Sequence, residues 1–301
     1  MMKKVILIIG MAFICAIPTF AAGLKIESRY TIKLDNNTKA FHPVISSDGL
    51  KLLFSTESYM GLNLLDLKNN STTTISESIG AGFEPIFSND GKSVYYKSTS
   101  VNNRLRSSNV ERYEISTAKS KEILPQSRES VHLSAHKSGV IIKSGKKMMG
   151  VKKGNVTIAY TDYNRIIINN GGVEKSLNPI ADAHSYMWVS VSPDGNKLLF
   201  VEPFKGIFVC DINGENLHGY GKGSAPIWYG NNFIIATKST DDGYIVLSSQ
   251  LYAINLNTSS ALAITSSDEI VDDHTASFDA GKVVYSTIQG ELKVLKVNVE
   301  E

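Results

Sequence analysis

From Tyr30 onward the chain alternates short apolar runs with polar breaks, and the alternation has a period of two rather than helical spacing. Val, Ile, Tyr, Phe and Thr dominate the runs, as suits a pleated surface. The pattern predicts an all-β chain. One phrase recurs within it: Ser46-Ser47-Asp48-Gly49 leads into Leu52-Leu53-Phe54, Ser88-Asn89-Asp90-Gly91 into Val94-Tyr95-Tyr96, and Ser192-Pro193-Asp194-Gly195 into Leu198-Leu199-Phe200. Weaker copies turn at Lys137-Ser138-Gly139, Gly230-Asn231-Asn232 and Asp279-Ala280-Gly281. Asp-Gly between two apolar runs marks a hairpin, because a tight turn needs positive φ, which Gly adopts freely and Asp tolerates.

These turns lie roughly 35 to 56 residues apart, the period of a propeller or solenoid. Within one unit the order is His42 to Ile45, the turn, Lys51 to Ser55, Leu62 to Leu67, a polar turn at Asn69-Asn70, and Thr72 to Ile75. Four strands per unit is the pattern of a propeller blade. The prediction is a six-bladed β-propeller of four-stranded antiparallel blades, at 38–77, 78–125, 126–178, 179–220, 221–265 and 266–301. The last unit is one strand short, and Tyr30-Thr31-Ile32-Lys33-Leu34 is a strand without a unit, so the N-terminal strand is expected to complete the last blade and close the ring. In the third unit the stretch Met148 to Tyr160 reads as an inserted hairpin or as a further blade.

The phrase P-x-[IF]-S-x-D-G-x-x-[LV]-x-[FY], carried by Glu84-Pro85-Ile86-Phe87-Ser88-Asn89-Asp90-Gly91 and Val191-Ser192-Pro193-Asp194-Gly195, resembles the TolB-type β-propeller repeat over essentially all of residues 23–301. The resemblance implies the propeller fold and leaves function open, since such propellers act as periplasmic binding scaffolds, as gates of peptidases and occasionally as lyases. The α/β domain of the two-domain TolB protein has no counterpart in these residues, so its translocation role is not carried over.

The N-terminus changes the picture. Lys3-Lys4, the apolar run Val5 to Ile17 and the small residues up to Gly23 have the form of a secretory signal peptide over residues 1–22, leaving a single domain at 23–301. The apolar run is shorter than the ~20 residues of a membrane-spanning helix, so no transmembrane segment is expected after cleavage. A periplasmic or secreted location follows. Loss of Lys3 and Lys4 brings the 31 Lys and Arg to parity with the 29 Asp and Glu, and no basic stripe is present, so a nucleic-acid partner is not expected. The expected partner is an envelope or extracellular protein, peptide or glycan.

Catalytic motifs are scarce. The chain has no G-x-S-x-G elbow, no H-E-x-x-H and no phosphate-binding Gly-rich loop. Aligning the units on their turns gives one constellation: His42, Glu84, His132, Trp188 and His274 each lie seven residues before the turn glycine. Equivalent positions on innermost strands share one level around the channel. The five are therefore candidate ligand-binding residues, and His42, His132 and His274 are candidate ligands of a divalent metal ion. The competing expectation is structural hydrogen bonding between blades. Two functions follow: a non-enzymatic exported scaffold presenting loops such as Thr99 to Asn109 and Ser239 to Ser248, or a metal-dependent polysaccharide lyase or hydrolase with Glu84 as ligand or base.

Overall fold

The computed structural model describes residues 23–35, 38–136, 139–145, 147–150 and 156–300; the expected signal segment at 1–22 and Lys137-Ser138 of the third turn lie outside them. Among the described residues the regular elements are strands, apart from a short 3-10 turn at Glu57–Tyr59. The strands form seven separate antiparallel sheets arranged as blades.

Blade one is Phe41–Ile45, Lys51–Ser55, Met60–Asp66 and Ser71–Ile79; blade two is Ile86–Phe87, Ser93–Asn102, Leu105–Glu114 and Lys119–Ser127. Blade three is Val131–His136, Gly139–Ser144 and Lys147–Met149, and blade four is Thr157–Asp162, Arg165–Asn170 and Val173–Leu177. Blade five is Met187–Val191, Lys197–Glu202, Gly206–Asp211 and His218–Gly219; blade six is Ser224–Tyr229, Phe233–Asp241, Val246–Asn255 and Ala261–Ala263. Blade seven joins Val271–Ser277, Lys282–Thr287 and Leu292–Val299 to the N-terminal strand Leu24–Ile32.

The expected six blades are therefore seven. The unit at 126–178 is two blades, each with three strands among the described residues, and Met148 belongs to the first of them. Blade four escaped the count because its first hairpin, Asp162 paired with Arg165, turns through Tyr163-Asn164, and Tyr163 itself takes φ 52° where the other units use glycine. The closure holds as expected: Leu24 pairs with Val299 and Ile32 with Leu292, and Glu300 N–H donates to Gly23 O at 2.8 Å.

The repeated phrase is legible as chemistry. In blade one Ser46 Oγ donates to Asp48 Oδ1 at 2.5 Å, Leu50 N–H donates to the same oxygen, and Lys51 N–H donates back to Ser46 Oγ at 2.9 Å. Ser88 with Asp90 and Ser192 with Asp194 repeat this arrangement. Each second strand is then buried on both faces, as in Leu52-Leu53-Phe54 and Leu198-Leu199-Phe200, because a neighbouring blade covers each side.

The core is accordingly divided among the blade interfaces. One cluster joins blades six and seven through Leu24, Tyr229, Ile235, Val283 and Tyr285, and another joins blades seven and one through Ile32, Leu52, Phe54, Val284 and Val294. The thinnest clusters flank blade three, around Val131 and Ile142 on one side and Ile141 and Ile158 on the other.

The Asp-Gly turns also meet across blades. A Cβ at Gly49 (φ +66°) would lie 2.4 Å from Ala280 Cβ in the turn of blade seven, whereas one at Gly91 (φ +65°) would meet nothing within 4 Å. Both Gly→Ala changes incur a left-handed penalty of about 1–2 kcal/mol. Gly49→Ala adds the overpacking cost of about 1–3 kcal/mol, so its denaturation midpoint should fall clearly below that of Gly91→Ala. Equal midpoints would contradict contact between these turns.

Candidate functional site

Because successive strands run antiparallel, the Asp-Gly hairpins share one face of the ring. The entrances of the first strands and the hairpins between second and third strands share the other, here called the hairpin face. Neighbouring first strands contact one another, as Phe41–Ile45 does with Val271–Ser277, and so form the innermost ring.

The entrances have a common geometry. His42, Glu84, Trp188 and Ala225 adopt φ of 52°, 52°, 50° and 46°, a left-handed conformation unusual for residues other than glycine. In blades one, five and six this residue belongs to a β-bulge, where pairing skips from Phe41 to Val44, Met187 to Ser190 and Ser224 to Ile227. A bulge bends and re-aims the strand. Seven residues before the turn glycine is thus a left-handed entrance position in blades one, two and five, and Ala225 takes the same conformation in blade six, so side chains as different as His, Glu, Trp and Ala adopt it.

His132 and His274 depart from that geometry. His132 pairs regularly with Lys143, without a bulge. In blade seven the bulge is displaced toward the entrance, between Val271 and Asp273, which leaves His274 regularly paired with Tyr285. His274 is only 6% exposed, with Nδ1 3.5 Å from Thr237 Oγ1 and Nε2 3.4 Å from Ile235 O in blade six. Burial pushes its pKa down, so the ring is neutral.

The remaining candidates fall into two groups. Glu84, His132 and Trp188 line a cavity of about 840 Å³ together with Tyr160, Met187 and Ser190. Trp188 and Met187 are 44% and 42% exposed at its mouth, and Ser190 Oγ is buried without a hydrogen-bond partner. His132 stacks near Tyr160, with ring centroids 6.0 Å apart, and Lys143 Nζ lies 4.3 Å from the Tyr160 centroid. His132 remains exposed at the cavity, and partial desolvation there holds its imidazole below the usual pKa, with Glu84 opposing the shift and Lys97 and Lys143 reinforcing it.

His42 belongs to a neighbouring cluster. Its ring stacks on Tyr59 at 3.7 Å, and its Nδ1 lies 3.2 Å from Asp273 Oδ2. Tyr59 meets Phe83 edge-on at 5.1 Å, and Lys97 Nζ sits 4.4 Å from the Phe83 centroid while donating to Glu84 Oε2 at 3.0 Å. Burial, followed by the charges of Asp273, Asp272 and Glu84, raises the Tyr59 pKa. Burial also raises that of Asp272. The ion pair of Lys97 with Glu84 links this cluster to the cavity.

No group of three or more His, Cys, Asp or Glu side chains is placed to hold a metal ion among the described residues. With His274 enclosed between blades, the three histidines do not fit a metal. Phe83, Lys97, Lys143 and Tyr160 were not singled out in the sequence, because none sits at the fixed distance from a turn that marks the entrances.

Comparison with known proteins speaks to the fold. No family model and no curated protein sequence matches the chain. Among solved structures it is similar to a streptogramin B lyase (15% identity, 92% of this chain and 98% of that one, TM-score 0.62). It is also similar to the β-propeller domain of Cps50 (Swd1) from Myceliophteria thermophila (10%, 89% and 99%, TM-score 0.63). The chain is a β-propeller. TolB from Acinetobacter baumannii aligns at 17% identity over 86% of this chain and 56% of its own, with a TM-score of 0.47. The chain thus spans little more than half of that TolB, and the likeness carries no functional argument. At these identities the other two structures show the fold alone.

Burial of neutral His274 has a consequence for stability. The unfolded chain binds a proton at this residue below pH about 6.5 while the folded chain resists it, so its contribution is full above that value and is lost as pH falls. Between pH about 7.5 and 5.5 the Tm should fall, and it should fall less in His274→Gln. An identical decline in both proteins would contradict neutral burial of His274.

Proposed function

We propose that this protein is an exported, non-enzymatic propeller of the TolB type, acting in the periplasm or outside the cell. Its hairpin face binds an envelope protein, peptide or glycan. The observation that carries the reading is the pair of exposed side chains Met187 and Trp188 at the mouth of the 840 Å³ cavity, which also presents Glu84 and His132. Aromatic and Met side chains left exposed beside a concave surface are characteristic of interaction sites.

The long hairpins add to it. The second and third strands of blades two and six run nine or ten residues, and the blade-six hairpin ends in Tyr244, 96% exposed, followed by exposed Ile245, Val246 and Leu247. They carry apolar side chains out to the hairpin face, where a large partner would meet them. Described residues include no helix long and apolar enough to cross a membrane. Export rests on the N-terminal sequence pattern.

The enzymatic alternative, a lyase or hydrolase acting on envelope polysaccharide, draws on the neutral His132 imidazole beside Glu84 in the cavity and on the lyase activity named for one similar propeller. A neutral imidazole can serve as a general base. The residues do not fit the metal that this reading first invoked.

One pair of measurements separates the two. Titration with envelope polysaccharide and peptide fractions should change the tryptophan fluorescence saturably, and Trp188→Ala should weaken binding by about tenfold or more. Incubation with uronate polymers and added Mn²⁺, Ca²⁺ or Zn²⁺ should yield no ultraviolet-absorbing unsaturated product. Turnover that disappears in His132→Ala would overturn the scaffold reading.

A further inference from the structure

Beside the channel mouth, between blades two and three, lies a second cavity of about 340 Å³. Lys97, Arg106 and Arg128 line it, with Thr99, Ser130 and Phe83, against the single carboxylate of Glu129. Arg106 comes from the hairpin between second and third strands of blade two and Arg128 from the connection into blade three, so both reach the cleft from the hairpin face. Lys97 is almost wholly buried and already paired with Glu84. Neither Arg106 nor Arg128 makes an ion pair or side-chain hydrogen bond among the described residues. The backbone at Gly80 (φ +74°) leaves room for this group: a Cβ there would lie 2.9 Å from Thr99 Oγ1 and 3.6 Å from Arg106 Nη2.

Two uncommitted guanidinium groups converging on a concave pocket with hydroxyl donors form a recognition site for oxygen anions, because each guanidinium presents a planar fork of donors matched to a carboxylate, phosphate or sulfate. A partly exposed Phe83 ring in the same cleft offers an apolar wall for whatever carries the anion. The pocket far exceeds one oxyanion in volume, so the charged group enters as part of a larger ligand. We infer that this cleft binds an oxyanionic group, held by Arg106 and Arg128, on the ligand that docks at the hairpin face. The identity of that larger ligand rests on the scaffold reading above, whereas the oxyanion site itself does not.

Calorimetry on the full propeller at low salt, with inorganic phosphate, sulfate, glucuronate and uncharged glucose as separate probes, tests this. At least one oxyanion should bind saturably and glucose should not, and the comparison of the three anions shows which geometry the cleft prefers. Arg106→Gln/Arg128→Gln should weaken that binding by at least about tenfold. Arg112→Gln, at a residue of the same blade already paired with Glu114 at 2.6 Å, should leave it unchanged. Both arginines of the double variant are exposed, so its Tm should match that of the parent and exclude misfolding. No binding by the parent, equal binding by the double variant, or equal loss in Arg112→Gln would overturn the inference. Oxyanion binding that persists in Trp188→Ala, while polysaccharide or peptide binding is lost, keeps the two sites distinguishable.

Discussion

Every blade of this protein has two apolar faces, and neither can be covered from within the blade. That constraint governs the rest. A second strand such as Leu52-Leu53-Phe54 sends side chains into the cores on both sides, so the structure is stable only when each blade has a neighbour on either hand. Seven clusters fill the interfaces, and the N-terminal strand serves two of them, with Leu24 in one and Ile32 in the next. Full burial of a Leu or Ile is worth about 1.5–3 kcal/mol. The strand also pairs the edge of Leu292–Val299, which would otherwise offer a template for aggregation.

The same ring creates the candidate site. Closing the blades brings the entrances of the innermost strands to one level, where a left-handed residue recurs as His42, Glu84, Trp188 and Ala225. Such a conformation costs free energy and persists only when its surroundings enforce it. Its presence at Ala225, which has no functional group, marks it as part of the blade architecture. The architecture supplies equivalent positions, and the side chains placed there differ from blade to blade. The candidate site accordingly takes its chemistry from Trp188, Glu84 and His42 and their neighbours Tyr59, Phe83 and Lys97, on a frame indifferent to them.

The all-β class, the closing strand and most blade boundaries were legible because they depend on local chemistry: a Ser-x-Asp-Gly turn and an apolar run that follows it. Blade four was not legible, because Tyr163 takes the positive φ that glycine takes elsewhere, so the turn lacks its usual residue. The thin cores flanking blade three belong to the same divergent stretch. Counting back seven residues from each turn glycine located the left-handed entrance residue in blades one, two and five. It could not foresee that the bulge of blade seven is displaced, which turns His274 into the interface with blade six. Nor could spacing reveal the arginine cleft, whose members come from a hairpin and a connection with no fixed relation to the repeat.

Closure of the ring by the first and last strands is the claim on which the cavity, the shared level of the entrances and the hairpin face all depend. Ser28 and Lys296 are directly opposed in that pairing, and both are exposed. Cys210 is buried, with its thiol pushed up to about 12 by that burial, so it stays out of disulfide exchange. The decisive measurement is the thiol content and Tm of Ser28→Cys/Lys296→Cys, made in a Cys15→Ser background, before and after oxidation. A closed ring predicts a quantitative intramolecular disulfide and a gain of about 2–4 kcal/mol. Free thiols, or disulfides formed only between molecules, would contradict it.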